Sequence, residues 1–443
     1  MTQPRGPVRN DGAEELRLKQ PSAVLTLLRI RSFLLLTLAN SFSQLGDRLS
    51  HMLLITLIGI TAPGKLLAYS GGALTFVLPT LILSPVAGVL VDHWDKRKTL
   101  AYTHFLQTAI LTIVPVAITI TQGFTPFYFA LAIFFGLDIF NNTASPALLP
   151  NLVNRDNILI ANSINLAFAR IATVLGMVLG GFLIKWVGWQ KGLLIDSSCH
   201  LIAGILALNI AIESTLCPPV STVATQQSLS SSLADSWVKF FKELGELLTL
   251  VFRHQIVAFV LASIAISTFI SAVSYTILIF LVQQVLKMGT TGVGIFAGIV
   301  AVGMIGGAAG MGFVRQNINR PMVVLGVTLL YGIMFLIGNW LITLWFMIIV
   351  ALVAGVAFSW LGIVQNTILQ EEVEEGIRGR VFSSKEFITN ATFLLTTIFI
   401  GALGDLTSYR TALITIGVGL IIFSLGGFYW LRRMGINSQP KTT

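Results

Sequence analysis

The sequence predicts an all-α membrane protein with twelve transmembrane helices in two six-helix halves, and three observations carry that prediction. The 443 residues are 55% hydrophobic and only 11% charged, with a mean hydropathy of +0.84, whereas an ordinary water-facing domain carries about 25% charge. Apolar runs of about 20 residues, enough to cross a bilayer at helical rise, recur along nearly the whole chain. Lys and Arg concentrate in alternate loops, the pattern that fixes orientation in a membrane.

The runs fall at 31–59, 66–91, 99–121, 124–149, 158–184, 190–212, 254–284, 289–314, 322–340, 341–370, 381–407 and 410–431. Only Asn339 and Trp340 mark a turn between 322–340 and 341–370, and one helix there would move the C-terminus to the other side. With the N-terminus inside, 21 of the 28 Lys and Arg lie in inside segments and five outside, leaving Arg48 and Arg170 within spans. That bias predicts a multi-pass protein of the cell (inner) membrane with both termini cytoplasmic. The net charge of +9 then reflects loops facing an anionic leaflet, and no nucleic-acid partner is expected.

Residues 1–30 are polar and basic without a short apolar core, which predicts a cytoplasmic tail and no removed signal peptide. The N-terminal half follows at 31–212, a cytoplasmic linker at 213–253, the C-terminal half at 254–431 and a cytoplasmic tail at 432–443. The linker opens with CPPVSTVATQQSLSSS, a loop composition. Leu233, Trp237, Phe241, Leu244, Leu248 and Val251 then recur at helical spacing opposite Asp235, Lys239, Lys242 and Glu246, which predicts an amphipathic strap on the membrane surface. Cys199, in an apolar run, and Cys217, in the linker, are expected to be free thiols.

The halves resemble each other. GVLVDHWDKRKT lies over GMGFVRQNINRP at an offset of 222 residues, matching Gly88 to Gly310 and Lys98 to Arg320; Asn142 and Thr143 match Asn366 and Thr367. Internal repetition of six plus six spans is a plan of secondary transporters.

In GVLVDHWDKRKTL, residues 88–100, Gly88, Leu90, Asp92, Lys96, Arg97 and Leu100 match the pattern GxLxDRxGRRxxL, while His93 and Asp95 depart from it. On these residues the chain resembles the major facilitator superfamily over roughly 30–432. LGDRL at 45–49, PALLPNLVNRDNILIANS at 146–163 and QNTILQEEVEEGIRGRVFS at 365–383 resemble the branch of enterobactin-type siderophore exporters and macrolide exporters, and more distantly lysophospholipid transporters. GMVLGG at 176–181 resembles the GPxxGG signature of proton-coupled drug exporters, with Met177 in place of proline. Gly176, Gly180 and Gly181 serve either that signature or plain close packing of small residues.

The resemblance implies a cytoplasmic gate. Asp92 would meet the N-terminal end of span eleven near 381–383, and Lys96 and Arg97 would face a neighbouring helix or the acidic loop Glu371–Glu375, beside Arg378 and Arg380. Such contacts stabilise the state closed on the cytoplasmic side by about 1 to 3 kcal/mol. Topogenic charge alone is the other reading.

An ionisable residue within a span is costly and marks function by default. Asp47 lies about 18 Å from the outer end of span one, counted at helical rise, and Asp138 and Arg170 fall at similar depth. Asp47 is the expected proton carrier, with Asp138 and Arg170 a pair that substrate contacts or, on the other reading, a structural ion pair. Asp196 and His200, four apart, share one helix face and read as a polar helix contact; no metal site or cofactor is expected. His51 and His104 read as satisfied core residues.

The leading function is proton-coupled export of a hydrophobic or amphipathic small molecule by alternating access, for which a monomer suffices. Lysophospholipid movement between leaflets is the alternative. An enzyme or a transporter-like receptor is more remote: no cluster of metal ligands and no GxxxxGK[ST] phosphate loop is present.

Overall fold

The computed structural model describes residues 20–154, 157–211, 255–313, 319–372 and 375–433, with isolated positions at 237, 238, 242 and 245; the side chains of 20–23, 255–257, 312, 313 and 369–384 are outside the described set. Among the described residues a short leading helix, Gln20–Arg29, precedes twelve long ones. These are α1 (Arg31–Thr61), α2 (Leu66–His93), α3 (Lys96–Thr121), α4 (Thr125–Leu148), α5 and α6 within Ile158–Leu208, α7 (Gln255–Phe280), α8 (Gly289–Phe313), α9 (Arg320–Trp340), α10 (Leu344–Glu372), α11 (Glu375–Leu406) and α12 (Tyr409–Arg433). The linker strap predicted at 233–251 falls largely outside the described residues.

Two boundaries show how local chemistry sets the spans. Ile158–Leu208 is broken at Gly188, whose φ of 79° and ψ of 167° divide it into α5 and α6; glycine adopts that backbone without a Cβ penalty. The weakly marked turn near Trp340 is a true break, since α9 ends there and α10 starts at Leu344, with Thr343 Oγ1 accepting from the Phe346 N–H at 3.4 Å. Among the described residues ten helices are long and apolar enough to cross a membrane, Ile158–Leu208 counting as one. The helix α1 falls outside that group because NSFSQLGDRLSH, residues 40–51, interrupts its apolar surface.

In one half α1 lies along α5 and α6, while α4 packs on α2 and α3; in the other α8 packs on α10 and α9 on α12. The halves meet along α2 with α11 and α5 with α8. The leading helix buries Leu27 against Phe33, Leu36, Val91 and Leu100. Large apolar side chains such as Ile120, Leu159, Ile305 and Ile349 are exposed round the outside. Trp186, Trp340 and Trp345 lie exposed near helix ends at one side, and Tyr429 and Trp430 at the other, as interfacial aromatics do. The chain is a multi-pass membrane protein.

Candidate functional site

A cavity of about 950 Å³ lies between the halves. Its wall is mostly apolar and aromatic: Phe76 sits 5.8 Å from Phe135, 5.9 Å from Tyr275 and 6.2 Å from Phe393, ring centre to ring centre. His51 stands against Phe76 and Phe135, at 4.8 Å from each. Such a surface accepts apolar ligands through shape and burial and leaves orientation to a few polar groups.

Those groups come chiefly from α1 and α4. Gln44, Asp47, Arg48 and His51 all line the cavity, because intervals of three and four residues place them on one helix face. Gln44 Nε2 donates to Asp47 Oδ2 at 3.4 Å, and Thr173 of α5 donates to Gln44 Oε1 at 3.2 Å. On α4, Asn142 Nδ2 donates to Asp138 Oδ2 at 2.8 Å, leaving Asp138 Oδ1 buried without a hydrogen-bond partner. Glu386 of α11, unremarked in the sequence, lines the same cavity.

The structure brings Asp47 and Asp138 to one cavity but not Arg170. That residue is exposed, is absent from the cavity wall and does not pair with Asp138, whose hydrogen bond is to Asn142. Axial position accounts for this. Arg170 shares a helix side with the cavity-lining Met177 but lies two turns, about 10 Å, nearer the start of α5. The guanidinium that lines the cavity is that of Arg48.

At the α1–α2 end the halves are bonded together. Tyr69 Oη donates to Gln283 Oε1 at 2.6 Å, and the hydroxyls of Thr56 and Thr290 lie 2.7 Å apart. Gln283 sits in a π-helical turn, Leu281–Val285, a local widening common at functional sites. Asp405, at the end of α11, accepts from the first amides of α2, Leu66 N–H at 2.7 Å and Leu67 N–H at 3.2 Å, where the helix dipole favours a carboxylate. Close backbone approach adds to this: a Cβ on Gly181 would lie 2.8 Å from Thr290 O of the other half. Within the first half, a Cβ on Gly176 would lie 2.9 Å from Leu45 O and one on Gly180 3.0 Å from Leu49 Cδ2.

At the α2–α3 end no hydrogen bond joins the halves among the described residues. Gly88 has open space beside its Cα, where a Cβ would meet nothing within 4 Å. Asp92 is exposed, Lys96 is half-buried, and Arg97 Nη1 donates to Ile210 O at 3.1 Å, just past the end of α6. Asp95, one of the two departures from the motif, caps α3 by accepting from the Lys98 N–H at 3.1 Å. The side chains of Arg378, Arg380 and the acidic loop Glu371–Glu375 lie outside the described residues.

The polar contact read for Asp196 and His200 is present and larger than the sequence suggests. His200 Nε2 lies 3.5 Å from Asp196 Oδ1 and 3.8 Å from Asp47 Oδ1, and Ser50 Oγ donates to Asp196 Oδ2.

The profile of the Major Facilitator Superfamily matches residues 36–384, more than half of the chain. The chain is 21% identical over 388 residues to the multidrug efflux pump Tap of Mycolicibacterium fortuitum, covering 85% of this chain and 91% of that one. It is 20% identical over 387 residues to the MFS-type transporter Rv0037c of Mycobacterium tuberculosis, covering 82% and 83%. Among solved structures, a peptide transporter POT superposes with a TM-score of 0.71 at 12% identity, covering 91% of this chain and 94% of that one. A bacterial homologue of the iron transporter ferroportin, in its inward-facing state, superposes with a TM-score of 0.67 at 16% identity, covering 91% and 98%.

Proposed function

The chain belongs to the Major Facilitator Superfamily, and from that membership we propose that this transporter exports a hydrophobic or amphipathic small molecule in exchange for protons. The observation that carries the reading is the cavity wall: apolar and aromatic over most of its area, with Asp47, Asp138 and Arg48 gathered on α1 and α4. Aromatic faces receive an apolar body. Two carboxylates beside one guanidinium cannot all keep full charge balance when substrate enters, so proton occupancy and substrate occupancy are linked.

The Lys and Arg asymmetry puts the α2–α3 end in the cytoplasm and both termini with it, in the cell membrane. On that orientation the bonded α1–α2 end is external and the described state faces inward. Alternating access requires the external bonds of Tyr69, Thr56 and Asp405 to break while Asp92 reaches α11 at the cytoplasmic end. One chain carries both halves, so a monomer suffices, and no cofactor enters the cycle. Export agrees with the name of the relative Tap, a multidrug efflux pump.

The test is proton flux in proteoliposomes, followed with a pH dye under an imposed gradient while a macrolide, a catecholate siderophore, a cationic dye and a lysophospholipid are added in turn. Substrate-triggered flux that Asp47→Asn abolishes is the expected result. Movement of lysophospholipid without proton flux, unchanged in Asp47→Asn, would replace this reading with lipid transport between leaflets.

A further inference from the structure

Behind the cavity wall, α1, α3, α4 and α6 enclose further ionisable groups. Asp196 and His200 of α6 are completely buried and do not line the cavity. His200 Nε2 is shared between Asp47 Oδ1 at 3.8 Å and Asp196 Oδ1 at 3.5 Å. Both gaps are too short for a bridging water, which needs heavy atoms roughly 5 Å apart.

The groups facing this imidazole come from each element packed on it. From α1 they are Asp47 and, on the cavity side, Arg48; from α3 His104, whose ring lies 5.7 Å from that of His200; from α4 the uncharged edge of Phe134 at 4.9 Å. Cys199 and Asp196 share its own helix.

Buried polar atoms in a static packing network are paired. Here Asp47 Oδ1, Asp196 Oδ1 and both nitrogens of His200 are buried without a hydrogen-bond partner. The backbone is shaped to permit the meeting. A Cβ on Gly46 would lie 2.6 Å from His200 Nε2 and 2.9 Å from Asp196 Oδ1, so only glycine lets the imidazole reach α1.

We propose that Asp47, His200 and Asp196 form a two-position proton-binding site, with Asp47 the cavity-facing position and Asp196 a sealed one reached through His200 Nε2. The proposal rests on proton-coupled export and deepens it. The Asp47 O–H bond breaks as the Nε2 lone pair takes the proton, giving an imidazolium between two carboxylates. That N–H bond then breaks as an O–H forms at Asp196 Oδ1, and Ser50 continues to donate to Oδ2. The cavity-facing carboxylate can empty while the cluster keeps a proton, which spares the membrane interior two buried uncompensated charges.

The test uses infrared difference spectra of the full-length protein in lipid nanodiscs across pH steps, in sodium and in potassium buffer. Two protonated-carboxyl C=O bands are expected, one lost in Asp47→Asn and the other in Asp196→Asn. Ser50→Ala moves the second band to higher frequency, because its C=O loses a donor, and this variant carries the test if Asp196→Asn fails to fold. With His200 present, Asp47→Asn shifts the pH at which the Asp196 band appears; with His200→Gln it does not. Absence of an Asp196 band throughout the pH range of the folded protein, or no band shift in Ser50→Ala, overturns the proposal. So does a band that disappears only on adding sodium, which would reassign the site to a metal cation. Transport is not the readout: flux without the Asp196 band rejects this site alone, and the bands without substrate-driven flux reject antiport alone.

Discussion

Gln44, Asp47, Arg48 and His51 put four of the cavity's polar side chains on about two turns of α1, so single substitutions there separate charge from shape. Asp138 sits across from that stripe with one oxygen unpaired, and on the proposed function it would meet a cationic substrate. Asp138→Asn should weaken binding of a cationic dye about tenfold, about 1.4 kcal/mol, and leave a neutral dye unchanged, as read by fluorescence titration. Equal loss for both dyes would make Asp138 a structural residue. Charge within a span was legible in the sequence for Asp47 and Asp138, because the cost of burial singles such residues out. Arg170 misled, since counting from a helix start gives depth but not where the cavity begins. The approach of His200 to Asp47 was hidden, because it depends on the missing side chain of Gly46 on another helix.

Among elements, α2 and α11 meet head to tail, and Asp405 holds the start of α2 while Asp92 is exposed at its far end. Removing the charge at a helix N-terminus costs about 1 kcal/mol, a several-fold shift between two states. With Leu278→Cys in the cavity and the native cysteines replaced by serine, Asp405→Asn should speed labelling by an impermeant thiol reagent from the α1–α2 side several-fold. Unchanged labelling would show that the cap does not hold this end shut. Asp92→Asn acts in the opposite state and should slow transport with expression intact; normal transport in it removes the gate from the cytoplasmic end. The Asp92 motif was legible because its spacing is distinctive, whereas GALGDLTSYR around Asp405 repeats no pattern. The π-helical turn of Gln283 was equally silent, for it widens one turn of an otherwise uniform apolar run.

For the whole molecule, hydropathy and charge asymmetry made the helices legible, down to the short break after Trp340. They did not say which end is closed, because that depends on contacts between residues more than two hundred positions apart, such as Tyr69 with Gln283. The central claim is that proton occupancy at Asp47 selects between the two closures. It is tested most directly by electron–electron distance measurements between spin labels at exposed sites, Lys98 with Arg433 at the α2–α3 end and Ile120 with Trp340 at the α1–α2 end. As pH changes in lipid nanodiscs, the account predicts that one distance lengthens while the other shortens, and that Asp47→Asn freezes both. Distances that ignore pH, or that respond to it equally in Asp47→Asn, would contradict it.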